Sequence, residues 1–188
     1  NPTVLLTKLS VQDGMLVTET GMKYKVLYID RNARFMSMSI LKRIAELAEA
    51  GVIICGTKPI YLANCNADES EFKSLVDKIW NSGKKNVTSG IPMYKVLDDI
   101  GVAPDFASGG ADKSDIKYVH RSLPNGEIFW VTNLTEKNQD LKASFRVVGK
   151  KPVLWHAEDG SREDVSYKIE SDKTLVSLNL YPHDAVFV

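Results

Sequence analysis

The chain has 188 residues, of which 44% are hydrophobic and 26% charged, the profile of a globular protein of roughly one to two domains. Twenty-four Lys and Arg offset twenty-four Asp and Glu, so no net field attracts a polyanion, and neither nucleic acid nor an anionic membrane surface is an expected partner. Cys55 and Cys65 are too few for a disulfide framework or a zinc site, and no apolar run approaches the roughly twenty residues of a spanning helix.

The opening NPTVLLTKLS carries neither a helix start nor a signal peptide, and the chain closes on DAVFV, an apolar strand. Such ends read as those of a piece of a longer protein, with Val4, Leu5, Leu6 and Leu9 as candidates for a face covered by the remainder. KYKVLYID (23–30) is a predicted strand, and Ile40, Leu41, Ile44, Leu47 and Ala48 recur at helical spacing over 38–51, where Gly51 stops the helix. GVIICG supplies a short buried strand. Asp68, with Glu71 three residues on, caps a helix whose stripe is Phe72, Leu75, Val76 and Ile79. A third strand is expected at 86–90, and Pro92 opens a helix that Gly101 ends. Strands alternating with helices imply a parallel sheet covered on both faces. Residues 1–112 are therefore expected to form a small doubly wound, flavodoxin- or amidotransferase-like α/β domain of Rossmann type.

ASGGADKSD (107–115) reads as a loop at a domain boundary, with Gly109 and Gly110 as its flexible point. Beyond it the apolar period becomes two, with strands expected at 116–122, 127–133, 141–148, 152–155, 165–170, 174–180 and 184–188. Residues 113–188 are expected to form an antiparallel β-sandwich, so the fold class is α/β plus all-β.

No catalytic residue can be assigned. GTKP after the strand GVIICG lacks the later glycines of a dinucleotide fingerprint, Cys55 lacks a nucleophile elbow, and no cofactor is expected. His120, His156 and His183 are too scattered for a metal site, so none is expected. Asp98-Asp99, Glu158-Asp159 and Glu163-Asp164 lie at a helix end or in turns, where solvation explains them. The sequons Asn86-Val87-Thr88 and Asn133-Leu134-Thr135 are too common a pattern to carry weight.

One stretch resists this reading. In IKYVHRSLPNGEIFWVTN (116–133), a two-residue Asn125-Gly126 turn would pair Arg121 with Trp130 and His120 with Val131, pointing His120 and Arg121 to opposite faces. His120, Arg121 and Trp130 are the substrate-contact candidates, with Trp130 a stacking surface or a cation–π partner of Arg121. The alternative is structural: Arg121 lies over Trp130 as a cross-strand pair and His120 is a half-buried, hydrogen-bonded histidine. The structural reading is preferred.

The order of segments is informative where single motifs are weak. Gly21-Met22-Lys23-Tyr24, Ala50-Gly51, Pro104-Asp105-Phe106, His120-Arg121 before an aromatic strand ending in Asn133, and Gly149-Lys150-Lys151-Pro152-Val153-Leu154-Trp155 follow one another in one sequence. This layout resembles the C-terminal portion of the α-L-rhamnosidases of glycoside hydrolase family 106 over nearly the whole chain. Trp155-His156-Ala157 departs from the Trp-Asp-Pro usual in that family's late turn, so no role of that Asp transfers.

The resemblance implies part of a large, multidomain, bacterial carbohydrate-degrading enzyme, periplasmic or extracellular, whose partners are an upstream catalytic domain of the same polypeptide and a plant or microbial glycan. The catalytic glutamates and a calcium site would lie in an upstream barrel, outside this chain. Two functions follow. The chain is a non-catalytic portion of such a hydrolase, packed on its barrel and lining its cleft, or it is a free-standing carbohydrate-binding or assembly module in which Trp130, Trp155 and Tyr61 form a sugar platform.

Overall fold

A computed structural model describes residues 1–64, 68–110 and 115–188. Cys65 and the expected 112/113 boundary lie outside these residues. The chain divides into two compact units, Asn1–Val102 and Ala103–Val188.

The first unit opens with a short helix, α1 (Pro2–Thr7), not anticipated from NPTVLLTKLS; Asn1 caps it by accepting from Thr3 N–H, and Pro2 occupies a first-turn position that needs no N–H. Leu5 and Leu9 pack on the core, while Val4 and Leu6 are exposed. Three antiparallel strands follow in the order β1 (Leu9–Gln12), β2 (Met15–Thr18) and β3 (Lys23–Tyr24). Asp13-Gly14 closes the first hairpin with φ of 52° and 71°, the left-handed pair that a type I′ turn requires.

The doubly wound parallel sheet expected for this half is not formed among the described residues. β4 (Val26–Ile29) pairs only with β6 (Ile53–Gly56), and β5 (Phe35–Met36) pairs only with β7 (Tyr61–Leu62), each in parallel. The third strand expected at 86–90 is reduced to one bridge, Ile54 to Val87. Main-chain bonds still hold the segment along β6, Ile54 N–H donating to Asn86 O and Thr88 N–H to Ile54 O (2.8 and 2.9 Å), and the Asn86 side-chain N–H groups add bonds to Ala48 O and Val52 O (2.9 Å each). The single strand expected at 23–30 also divides at Lys25, between β3 and β4, into two different sheets.

The helices match their patterns more closely. α2 (Met38–Glu49) buries Leu41, Ile44, Leu47 and Ala48, and α3 (Glu69–Trp80) buries Phe72, Val76 and Ile79. Asp68 Oδ1 accepts from the Ser70 hydroxyl (2.7 Å) and from the N–H groups of Glu71 and Ser70 (3.2 and 2.7 Å), and these bonds, the hydroxyl's first, hold its carboxyl below the ordinary range. α4 (Met93–Asp99) begins after Pro92. Burying side chains such as Leu41, Ile44 and Phe72 contributes about 1.5–3 kcal/mol each, which is where this unit's cohesion originates.

The second unit is two antiparallel sheets face to face. One has the order β13 (Arg162–Asp164), β12 (Val153–His156), β16 (Ala185–Phe187), β10 (Gly126–Asn133), β9 (Ile116–Leu123); the other has the order β14 (Tyr167–Glu170), β15 (Lys173–Leu180), β11 (Gln139–Phe145), β8 (Phe106–Gly109). Alternate residues of each sheet meet in one core, among them Phe129, Val131, Leu141, Phe145, Val176 and Leu178.

The division between units falls earlier than expected because Phe106–Gly109 is not a linker: it pairs with Phe145–Lys142 as an edge strand, where small residues suffice. Gly109 therefore lies within the sheet and is no natural flexible point.

The 116–133 hairpin also differs in register. Leu123 pairs with Gly126, so Pro124-Asn125 forms the turn, His120 faces Phe129 and Arg121 faces Ile128. Neither Asn125 nor Gly126 has the positive φ of a type I′ turn; Pro124, with its fixed φ, occupies the first turn position instead. A shift of two in the pairing leaves the faces unchanged, so His120 still points inward and Arg121 outward.

Candidate functional site

His120 is the centre of the densest polar cluster in the second unit. Its ring lies flat on Phe129, centroids 4.1 Å apart and planes within 8°, which fixes the imidazole's orientation. Nδ1 is 3.1 Å from Asp105 Oδ2 and Nε2 is 3.0 Å from Glu127 Oε2. Each nitrogen thus faces a carboxylate, so the ring is held from both ends. Around this core Arg146 donates to Asp105 Oδ1, and Lys150 Nζ and Ser122 Oγ approach Glu127 Oε1 at 3.1 and 3.2 Å.

The local fold explains the gathering. Asp105 precedes β8, Arg146 follows β11 immediately, and pairing of those two strands brings them together. Glu127 is the diagonal cross-strand neighbour of His120, and Lys150 sits just before β12.

The electrostatics run against acid catalysis. Hydrogen bonds from His120, then Ser122 and Lys150, lower the Glu127 carboxyl from an ordinary 4.5 to about 2. Burial pushes Asp105 up, but bonds from His120 and Arg146 outweigh it and hold that carboxyl below its usual value. A glycosidic general acid needs a carboxyl kept protonated near neutrality, and both of these are displaced the other way.

Because the folded-state pKa of Glu127 is depressed, its contribution to stability is complete above about pH 4.5 and is lost as pH falls through about 2. Chemical denaturation of the chain across that window should show the second unit weakening, and Glu127→Gln should flatten the dependence. An acid profile identical in the variant would count against the network.

The remaining sequence candidates lie apart from this cluster. Arg121 is exposed, and its guanidinium donates to the His120 carbonyl (3.3 Å). Trp130 is half-buried on the outer face between Val119 and Phe187. The guanidinium over an indole is Arg162 on Trp155, 4.1 Å from the ring centroid. Beside Trp155 a groove of about 680 Å³ opens into the sandwich, lined among others by Ile128, Phe129, Phe145, Val153 and Val188.

Elsewhere, buried Cys55 points its thiol at Met93 Sδ (3.8 Å), and burial pushes the thiol's pKa up, so it is a poor nucleophile. His156 and His183 pair separately with Glu163 and Glu136. Among the described residues no group of three or more His, Cys, Asp and Glu is arranged to hold a metal ion, and no helix is long and apolar enough to cross a membrane. Asn133, fully buried, donates to Lys137 O and Tyr181 O (2.7 Å each) and accepts from Thr135 N–H (2.9 Å).

Sequence reasoning missed Asp105 and Glu127 as partners of His120, and Arg146 and Lys150 as the cations that hold those two carboxylates. The signal was present in part: Pro104-Asp105-Phe106, His120-Arg121 and the segment FRVVGKKP were separately conspicuous, and the fold brings their polar residues to one imidazole.

Comparisons with known proteins agree with this layout. A family model for glycoside hydrolase 106, α-L-rhamnosidase, matches residues 1–169. The solved structure of a rhamnosidase from Novosphingobium sp. PP1Y superposes on the entire chain with a TM-score of 0.84 and 35% identity, the chain covering 19% of that protein. A protein of Formosa agariphila named "Putative beta-glucuronidase" is 28% identical over 97% of this chain, which covers 16% of its length. The chain thus spans less than a fifth of either relative.

Proposed function

The chain belongs to the α-L-rhamnosidase family of glycoside hydrolases, family 106, and we propose that it is a non-catalytic C-terminal portion of a carbohydrate-degrading enzyme, packed on an upstream catalytic domain of the same polypeptide and lining its glycan cleft. The observation that carries this reading is the state of the carboxylates at the best-formed polar site: Asp105 and Glu127 are committed to His120, Arg146 and Lys150 and held ionised. They brace the sandwich, and as carboxylates neither serves as the acid that protonates a leaving group.

The 188-residue chain is therefore expected to give no turnover of nitrophenyl α-L-rhamnoside. Turnover that disappears in Asp105→Asn or Glu127→Gln would overturn the reading. In the full-length enzyme, His120→Ala should lower thermal stability with kcat and KM unchanged, and Arg121→Ala should do little to either; a raised KM in Arg121→Ala would place that guanidinium at the substrate.

A second reading rests on a different observation. Phe35 and Tyr61 stack with centroids 4.8 Å apart while 66% and 46% exposed, an aromatic surface that a free-standing carbohydrate-binding or assembly module would use for a sugar face. Glycan-array binding by the chain, lost in Tyr61→Ala, would favour it.

A further inference from the structure

The five-stranded sheet has an opening in its middle. β16 lies between β10 and β12, pairing with β10 through Thr132–Trp130 and with β12 through His156 and Trp155. Its last bonds to β10 join Phe129 and Val188 in both directions, at 2.9 and 2.8 Å. Beyond that point β10 continues to Gly126 and β12 to Val153, each paired on its outer side with β9 or β13. Among the described residues no strand lies between them.

The main-chain groups there face the opening. Asn133 N–H donates to Asp184 O and Phe129 N–H to Val188 O, so alternate residues of β10 turn toward β16, and Glu127 is the next of that set. His156 N–H donates to Ser161 O on the β13 side, so Val153, three residues earlier, turns its N–H and C=O the other way. Two strand spacings separate β10 from β12 across β16, roughly 9–10 Å, which is room for one strand. The groove of about 680 Å³ coincides with this gap: Gly126, Glu127 and Val153 line its flanks, Val188 its end, and Phe145 and Thr174 of the opposite sheet its floor.

We propose that the opening is a strand slot, filled by a short extended segment that continues β16 past Val188 in the longer polypeptide. Direction and register favour this occupant. A continuation enters with no loop to close and meets Val153 with its first residue and Glu127 with its second. Rim charges argue against an ionic ligand: Lys150 is paired with Glu127 and Lys151 with Asp164, leaving neither lysine uncompensated.

The side-chain pattern follows from the pleat. Val186 is buried and Val188 lies on the same face, so the second added residue points at Phe129 and Phe145 and must be apolar, while the first and third point outward.

The test is to extend the 188-residue chain after Val188 by Thr-Val-Thr or by Thr-Asp-Thr. The first should raise the melting temperature by about 4 °C or more and slow amide exchange at Glu127 and Val153 at least about tenfold, and the second should do neither. No protection with Thr-Val-Thr, or equal gains with both extensions, would overturn the proposal. So would protection given by a capped, free Thr-Val-Thr peptide at millimolar concentration but not by the covalent extension, which would assign the slot to a separate chain.

Discussion

Gly56→Ala is expected to prevent the first unit from folding. Gly56 ends β6 opposite Ile29 of β4, with φ of +111°, a conformation that L side chains rarely adopt. A Cβ built there would lie 2.1 Å from the Ile29 carbonyl oxygen and 2.9 Å from its carbonyl carbon and its nitrogen. Those atoms are backbone, and the same carbonyl accepts from Thr57 N–H at 3.0 Å, so the strand pair would have to separate to admit a methyl group. Clash and strain together should exceed about 4 kcal/mol, a large part of the roughly 5–15 kcal/mol that stabilises a typical protein. Soluble yield and the urea midpoint report the effect. Gly21→Ala is the control: its φ is +82° but the space around it is open, so it should cost about 1 kcal/mol. Equal midpoints for the two variants would refute the assignment.

Asn133→Asp is expected to be nearly as damaging, although it replaces one atom. The Asn133 amide nitrogen donates to Lys137 O and Tyr181 O, with Leu180 O at 3.4 Å, in a site with no solvent exposure. Aspartate would keep the acceptor that serves Thr135 but set an oxygen against those carbonyls, which have nothing to donate. The buried, unpaired charge should cost about 3–5 kcal/mol at neutral pH. This carboxyl's folded pKa would be raised, so the penalty grows as pH rises above the ordinary Asp value of about 3.9. Denaturation midpoints at pH 7 and pH 5 check this: a variant as stable as the parent at pH 7 would show that another donor reaches the site.

The parts legible in the sequence were those where one face is buried along the whole element. The stripes of α2 and α3 and the alternation along β15, where Thr174, Val176, Leu178 and Leu180 are buried, are written in residue spacing alone. What failed depended on competition between neighbours. Pro124 displaced the Asn-Gly turn because a ring-locked φ fits the first turn position, and the hairpin register moved with it. FASG carries too little apolar surface to announce a strand, yet an edge position beside β11 demands little. The His120 cluster was half legible: the histidine stood out inside an apolar strand, but Asp105 comes from 15 residues before it, Glu127 from across the hairpin turn, and the Arg146 that holds Asp105 from a separate strand end, distances only the fold can close.

Asn86 and Asn133 give the two sequons a temporal meaning. In each, the amide nitrogen that would have to attack the activated sugar in a glycosyltransferase is already donating to carbonyls, those of Ala48 and Val52 in one case and of Lys137 and Tyr181 in the other. Neither nitrogen is available once its pocket has closed. In a secretory host, a sugar attached to either asparagine would therefore be a mark of the nascent chain, made in a race the transferase won. The glycosylated fraction would measure how long each pocket stays open after synthesis, and because the attached sugar cannot be accommodated in the closed pocket, those molecules would be the ones held back by quality control.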